Sequence, residues 1–549
     1  MPEIISLLTR HMFKTITILA LAALGLSACK PTPRTARPRN LQQTQETQQP
    51  AEPADASSTT EEQATPTPAA PESTTPAPAD QQDEAASEES ALLTVQVTRQ
   101  AFNRLTPWEK QAPAQARLCG TYLGNGLVLT YGKALTNTTY AELSLPDGTR
   151  TVPARIVSYD YDLGLGLLTV ANEADASIFD TRTACQLGEP LQKNNTAELW
   201  CTLNGSESHR VPLKAQTGGV SDSMPRLILQ ADTAVPEGFT HGAPIMRDGK
   251  LAGMSAGYES AGRNLSIINA EILRRFLNRH PDTPTGAPVL GIRLAALNDP
   301  AFRRYLKLQD NETGVYISEV EPASAAAEAG LQVGDVITAL EGMNVDDLGR
   351  CDLPIYGMTH ISAASRYLRP IGDNIRLTIS RGGESQEITV PLNTTARDNT
   401  LIPEEDPDTA PRYIVWGGLV FQPLTNTYLQ ALKSQARGTL PTEFLRAQDA
   451  EKELSEQGYK ELTALTLIIP TPATLGYDTQ GFCVVEKVNG RIPHNFAEFA
   501  NLLDEPTPNG IVEIAINKAP YTIYLDRATA EAVNDTLRRS AVPNLRRVE

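Results

Sequence analysis

At 549 residues and 40% apolar content, the chain has room for three or four domains, each able to bury a core of its own. Asp plus Glu outnumber Lys plus Arg by 65 to 48, a formal charge of −17 with no basic block to offset it, which excludes a partner held through nucleic-acid phosphates. The six cysteines, at 29, 119, 185, 201, 351 and 483, are too few for a disulfide framework and show no C-x-x-C spacing, so no metal site is predicted and no cofactor is implied.

In chain order, Lys14 precedes an almost wholly apolar run from Ile16 to Leu26, the length of a signal-peptide core and too short to span a bilayer, with Met12 the natural start. The run ends in Leu26, Ser27, Ala28 and Cys29, which resembles the lipobox of bacterial lipoproteins. That resemblance implies a signal peptide over residues 1–29 and a lipid on Cys29, which anchors the protein to a membrane of the cell envelope. Lys30 stands where an inner-membrane lipoprotein carries an aspartate, which implies the outer membrane, facing the periplasm. Residues 30–91 are predicted to be a disordered tether. Between 31 and 90 there are ten prolines and no aromatic residue, with Leu41 the only large aliphatic, too little apolar surface to offset chain ordering.

From 92 to 280 the pattern becomes short β-type runs between turn residues: 126–130, 141–145, 165–170, 197–202 and 227–229, with a Pro146, Asp147, Gly148 turn. Strands at that spacing predict a barrel or sandwich. The segments 124–130, 145–148, 162–165, 230–232 and 242–245, followed by Asp248 and Gly249, are similar, in order, to the trypsin-like domain of HtrA/Deg proteases, a double β-barrel. On that resemblance Lys133 stands at the position of the base histidine, and Asp162 matches the orienting carboxylate. Without an imidazole partner, Asp162 is equally read as a strand-end acid facing water. The nucleophile segment, 236–244, has one residue more than the family pattern. Counting forward puts Thr240 at the serine position and Gly238 at the oxyanion glycine; counting back puts His241 and Phe239 there. Neither register supplies a serine, so a triad able to move a proton from nucleophile to base is not predicted. A Thr240/Lys133 pair oriented by Asp162 is the alternative reading, as an unorthodox endopeptidase. Cys119, Cys185 and Cys201 read as buried thiols, with a Cys185–Cys201 bridge left open.

A new domain begins near 286. The runs 289–294, 314–322 and 323–331, then Gly334 to Ile337 and Gly342, resemble the PDZ domains that follow HtrA protease domains. Locally, Ser324 is predicted to cap a short alanine-rich helix stopped by Gly330, before a strand over 336–340. The resemblance implies that the loop Val289, Leu290, Gly291 and Ile292 offers backbone N–H groups to a peptide C-terminus. Residues 350–370 read as an insertion near the groove helix, so a groove filled by the chain itself or by a neighbouring subunit is the competing expectation. Segments 413–424, 476–477, 488–490, 495–504 and 525–527 are similar to the second PDZ-like domain of plant-type Deg proteases, associated with assembly. Phe496, Phe499, Ala500 and Leu503 share one apolar helix face.

The expected architecture is mainly β with α+β PDZ domains: a trypsin-like double barrel over 92–280, PDZ over 286–396, a linker over 397–411 and a PDZ-like domain over 412–549. The expected function is a catalytically inactive HtrA/Deg homologue binding peptide C-termini or unfolded envelope proteins. A purely structural envelope scaffold is the third reading. The family resemblance implies a homo-oligomer, a trimer.

Overall fold

The computed structural model describes residues 91–549, apart from 205–206, 221–226, 262, 280–285, 310, 396–399 and 436–437. The signal segment, Cys29 and the tether lie outside the described residues. Strands β1 (Leu92–Arg99), β2 (Ala114–Gly124), β3 (Leu127–Tyr131), β4 (Thr138–Ser144), β5 (Thr151–Asp160) and β6 (Leu165–Val170) close a barrel in the order β1-β2-β3-β6-β5-β4. Its interior is the apolar half of each alternation: Leu93, Val95 and Val97 of β1 meet Val128, Leu143 and Leu168. Strands β7 (Thr196–Leu203), β8 (Glu207–Val220), β9 (Leu227–Asp232), β10 (Pro244–Arg247), β11 (Lys250–Glu259) and β12 (Asn264–Asn269) close a second barrel, β10-β11-β12-β9-β8-β7. It ends in helix α1 (Ala270–Leu277).

The first PDZ domain holds β13 (Ile292–Ala295), α2 (Pro300–Tyr305), β14 (Val315–Val320), α3 (Ala325–Glu328), β15 (Val336–Leu340), β16 (Met343–Asn344), β17 (Arg350–Leu353), β18 (Gly357–His360), α4 (Ile361–Leu368), β19 (Asn374–Arg381) and β20 (Glu384–Pro391). Its sheet runs β13-β14-β15-β19-β20, which leaves one side of β13 open as an edge. The Ser324 hydroxyl accepts the Ala327 N–H at 3.1 Å to start α3, and Gly330, at φ +79°, follows its end, as the sequence predicts. The insertion-like stretch 350–370 is a separate hairpin, β17–β18, followed by the groove helix α4 itself. The hairpin tip docks on the second barrel. Tyr356 is 6% exposed, donates its hydroxyl to Glu271, and lies so close to β8 that a Cβ on Gly218 would sit 2.6 Å from its ring. One apolar cluster therefore runs from the second barrel through Leu353, Tyr356 and Ile361 to Ile317, Ile337 and Leu377.

The second PDZ domain starts with β21 (Tyr413–Trp416) and β22 (Leu419–Pro423), then inserts helices α5 (Asn426–Gln435), α6 (Thr442–Asp449) and α7 (Glu451–Glu456). It continues with β23 (Thr463–Ile468), β24 (Cys483–Val488), α8 (Phe496–Asp504), β25 (Ile511–Ile516), β26 (Thr522–Asp526), α9 (Arg527–Ser540) and β27 (Arg546–Arg547). Phe496, Phe499, Ala500 and Leu503 are buried on α8, the predicted face. Within the 397–411 segment, Leu401 and Ile402 are buried against Tyr428, Leu429 and Phe444, so this part of it is packed.

Candidate functional site

Two places collect the residues singled out by sequence: the region where the two barrels meet and the first PDZ groove. Lys133 sits in the 3₁₀ turn after β3, its ammonium 5.1 Å from the centre of the Tyr161 ring. Asp162 does not face water. It is 7% exposed, and its Oδ2 accepts the Ala287 N–H at 3.0 Å. Asp160, deeper still, accepts the Gly286 N–H at 3.0 Å and pairs with Arg279 at 3.2 Å. Together the two carboxylates tie the start of the first PDZ domain to the first barrel. Gly286 is at φ +108°, and a Cβ there would lie 2.9 Å from Asp162 Oδ2, so the junction requires glycine.

Thr240 is 7% exposed, and its hydroxyl is buried against β7, donating to the Thr202 carbonyl at 3.1 Å with Thr202 Oγ1 also 3.1 Å away. A nucleophile must direct its proton at a base; this one spends it on a backbone carbonyl. The lengthened loop is laced to both barrels. The Gly238 carbonyl accepts the Asn204 N–H at 2.9 Å, the His241 carbonyl accepts the Cys119 N–H at 2.8 Å, and the Gly242 N–H donates to the Ser255 carbonyl at 3.1 Å. Phe239 pairs with Leu203 and meets the His241 ring edge-on at 5.3 Å, while Tyr131 of β3 lies 6.2 Å from the same ring. Both candidate oxyanion positions, Gly238 and Phe239, belong to this lacing. Burial lowers the His241 pKa, and its Nδ1 is buried without a hydrogen-bond partner, so no carboxylate orients the imidazole. Cys119 and Cys201 are buried free thiols, so Cys201 forms no bridge to Cys185; burial pushes Cys201 up to about 11 and Cys119 higher, which removes a thiolate nucleophile.

In the first PDZ domain, Val289, Leu290, Gly291 and Ile292 lead into β13 and line a cavity of about 370 Å³ whose facing wall is α4, through Ile361, Ser365 and Arg366. The Leu290 carbonyl accepts the Ala326 N–H at 2.9 Å, and the Gly291 carbonyl accepts the Glu321 N–H at 2.9 Å. In a planar trans peptide the next N–H points the opposite way, so those of Gly291 and Ile292 are turned from these partners, as a carboxylate cradle requires. The cavity is further bounded by Thr400 and Ile402 of the packed connecting segment and by Asn426, Gln448 and Glu451 of the helices inserted in the second PDZ domain. Sequence reasoning picks out the loop and misses this second wall, which has no local signature.

A double six-stranded barrel followed by two PDZ domains defines a trypsin-like fold of the PDZ-bearing protease class. Residues 288–392 match one family model described as PDZ domain, and residues 402–546 match a second. The chain is 25% identical over 431 residues to the chloroplastic protease Do-like 2 of Arabidopsis thaliana, covering 76% of this chain and 68% of the relative. It is 26% identical over 288 residues to the serine protease Do-like HtrA of Lactobacillus helveticus, covering 49% of this chain and 65% of the relative. A solved structure of the HtrA-type protease AlgW with a decapeptide aligns at TM-score 0.41 and 17% identity, covering 56% of this chain and 97% of that one. The chain carries two PDZ domains in tandem and is similar over about three quarters of its length to a protease of the HtrA/Deg type.

Proposed function

We propose that this protein is a catalytically inactive HtrA/Deg homologue that holds the C-terminal ends of unfolded envelope proteins in its first PDZ groove. The observation that carries the reading is Thr240: its buried hydroxyl is committed to Thr202 of β7, and His241 beside it has no orienting carboxylate. The groove supports the binding half of the reading, because a cavity of about 370 Å³ opens on a loop with two N–H groups turned outward. Lipidation at Cys29, an outer-membrane location facing the periplasm and assembly into trimers belong to the same proposal, on the strength of the lipobox and the family. The sharp test is casein hydrolysis by the wild type beside a Lys133→Ala, Thr240→Ala double variant, both cleared of host proteases. Equal background rates are expected; cleavage that only the wild type performs overturns the reading and makes Thr240 a nucleophile. In parallel, a peptide with a free apolar C-terminus should bind in the micromolar range, roughly −8 kcal/mol, and its amidated form should not.

A further inference from the structure

The cavity in the first PDZ domain is enclosed by three segments far apart in sequence: the loop 289–292 with β13, helix α4, and the second domain's packed segment and inserted helices. Resting on the reading that this groove takes a peptide end, we propose that the second PDZ domain completes the site and that Glu321 and Glu451 make it select a lysine or arginine side chain just upstream of the bound C-terminus.

Both carboxylates line the same cavity as the loop. Glu321 follows β14 and sits beside the cradle, its Oε2 3.3 Å from where a Cβ on Gly291 would be. Glu451, at the start of α7, is held in place by the N–H groups of Leu401 and Ile402, at 2.7 and 3.3 Å. The cations around Glu321, Arg293 among them, are shared with other groups and offset its burial only in part. Arg293 of β13 is bonded to Glu319 of β14 at 3.2 Å, Lys452 stands in the adjoining recess, and Arg366 lines the cavity from α4. Burial, then the charge of Glu451, raises the Glu321 pKa, the response of a carboxylate without a sufficient counter-ion. A cationic side chain brought in by a peptide would satisfy it, and an acidic one would be repelled, the two halves of a specificity device. The cavity is also short of backbone partners: Arg366 Nε and Thr400 Oγ1 are buried in its walls without a hydrogen bond, and the carbonyls of an extended peptide are acceptors for both.

The test uses the full chain and labelled peptides sharing one apolar free-carboxylate end, with Lys, Ala or Glu placed in turn at the second to fifth residue from that end. Fluorescence anisotropy should find one position where Lys binds about tenfold tighter than Ala and Glu binds more weakly. The Glu321→Gln, Glu451→Gln variant, which keeps an acceptor for Leu401 and Ile402, should erase that preference and leave the Ala peptide within about twofold. The wild-type preference should also shrink as pH falls through the carboxylate range, because protonated Glu321 no longer attracts a cation. Equal affinity at every position, or a preference that survives the double variant, overturns the inference. Failure of every peptide to bind, or equal binding of an amidated one, instead overturns the groove reading on which it rests.

Discussion

Thr240, Asp162 and His241 each do something other than the role their position in the chain suggests. Asp162 accepts the Ala287 N–H at the domain junction, so Asp162→Ala strands a buried donor. Urea denaturation should register a loss of about 1–3 kcal/mol, with faster proteolysis around 280–287 and no change in the casein assay. His241 is kept neutral by burial. A buried histidine with a lowered pKa resists the proton that the unfolded chain accepts near its ordinary value, so its stabilising neutrality is present above that value and lost as pH falls through it. Between pH 7 and 5 the melting temperature of the wild type should therefore drop more steeply than that of His241→Phe, by roughly 2 °C, measured by circular dichroism.

Among the elements, the β17–β18 hairpin has the largest structural consequence for its size. Tyr356 at its tip fills a space against β8 that only Gly218 leaves open and bonds Glu271 of α1. Tyr356→Ala removes both and should cost about 3–5 kcal/mol, with the radius of gyration by X-ray scattering rising as the first PDZ domain loosens from the barrel. By contrast, Ser324→Ala removes one cap of α3 and should cost about 1 kcal/mol without any change in shape. Helix α8 shows how far local pattern reaches: its four apolar residues recur at helical spacing, and burying them requires only a neighbouring sheet.

On the scale of the whole molecule, the segment after the first PDZ domain clamps the first barrel to the second PDZ domain. Arg104 is 9% exposed, pairs with Glu405 at 3.0 Å and donates to the carbonyls of Asp406 and Pro407, while the Tyr159 hydroxyl reaches Asp408. Burial raises the Glu405 carboxyl even with Arg104 beside it, so Arg104→Ala leaves a charge with little compensation. A loss of about 3 kcal/mol of unfolding free energy, measured by urea denaturation, is expected, and adding Glu405→Gln should recover part of it. A clamp of this kind also holds α5 to α7 near the first groove, where they form its outer wall.

The alternating runs, the Ser324 cap, the α8 face and the ordered HtrA/Deg segments were legible in the sequence, because each depends on residues a few positions apart. The barrels and both PDZ domains follow from that information. The fate of the candidate catalytic positions did not, because it turns on partners 38 residues away for Thr240 and 125 away for Asp162. No spacing rule says whether a threonine hydroxyl points at a base or at a carbonyl in the barrel, and none places Glu451 beside Glu321. Those choices depend on how the barrels and domains pack, since only packing removes water from a polar group and obliges it to find a partner.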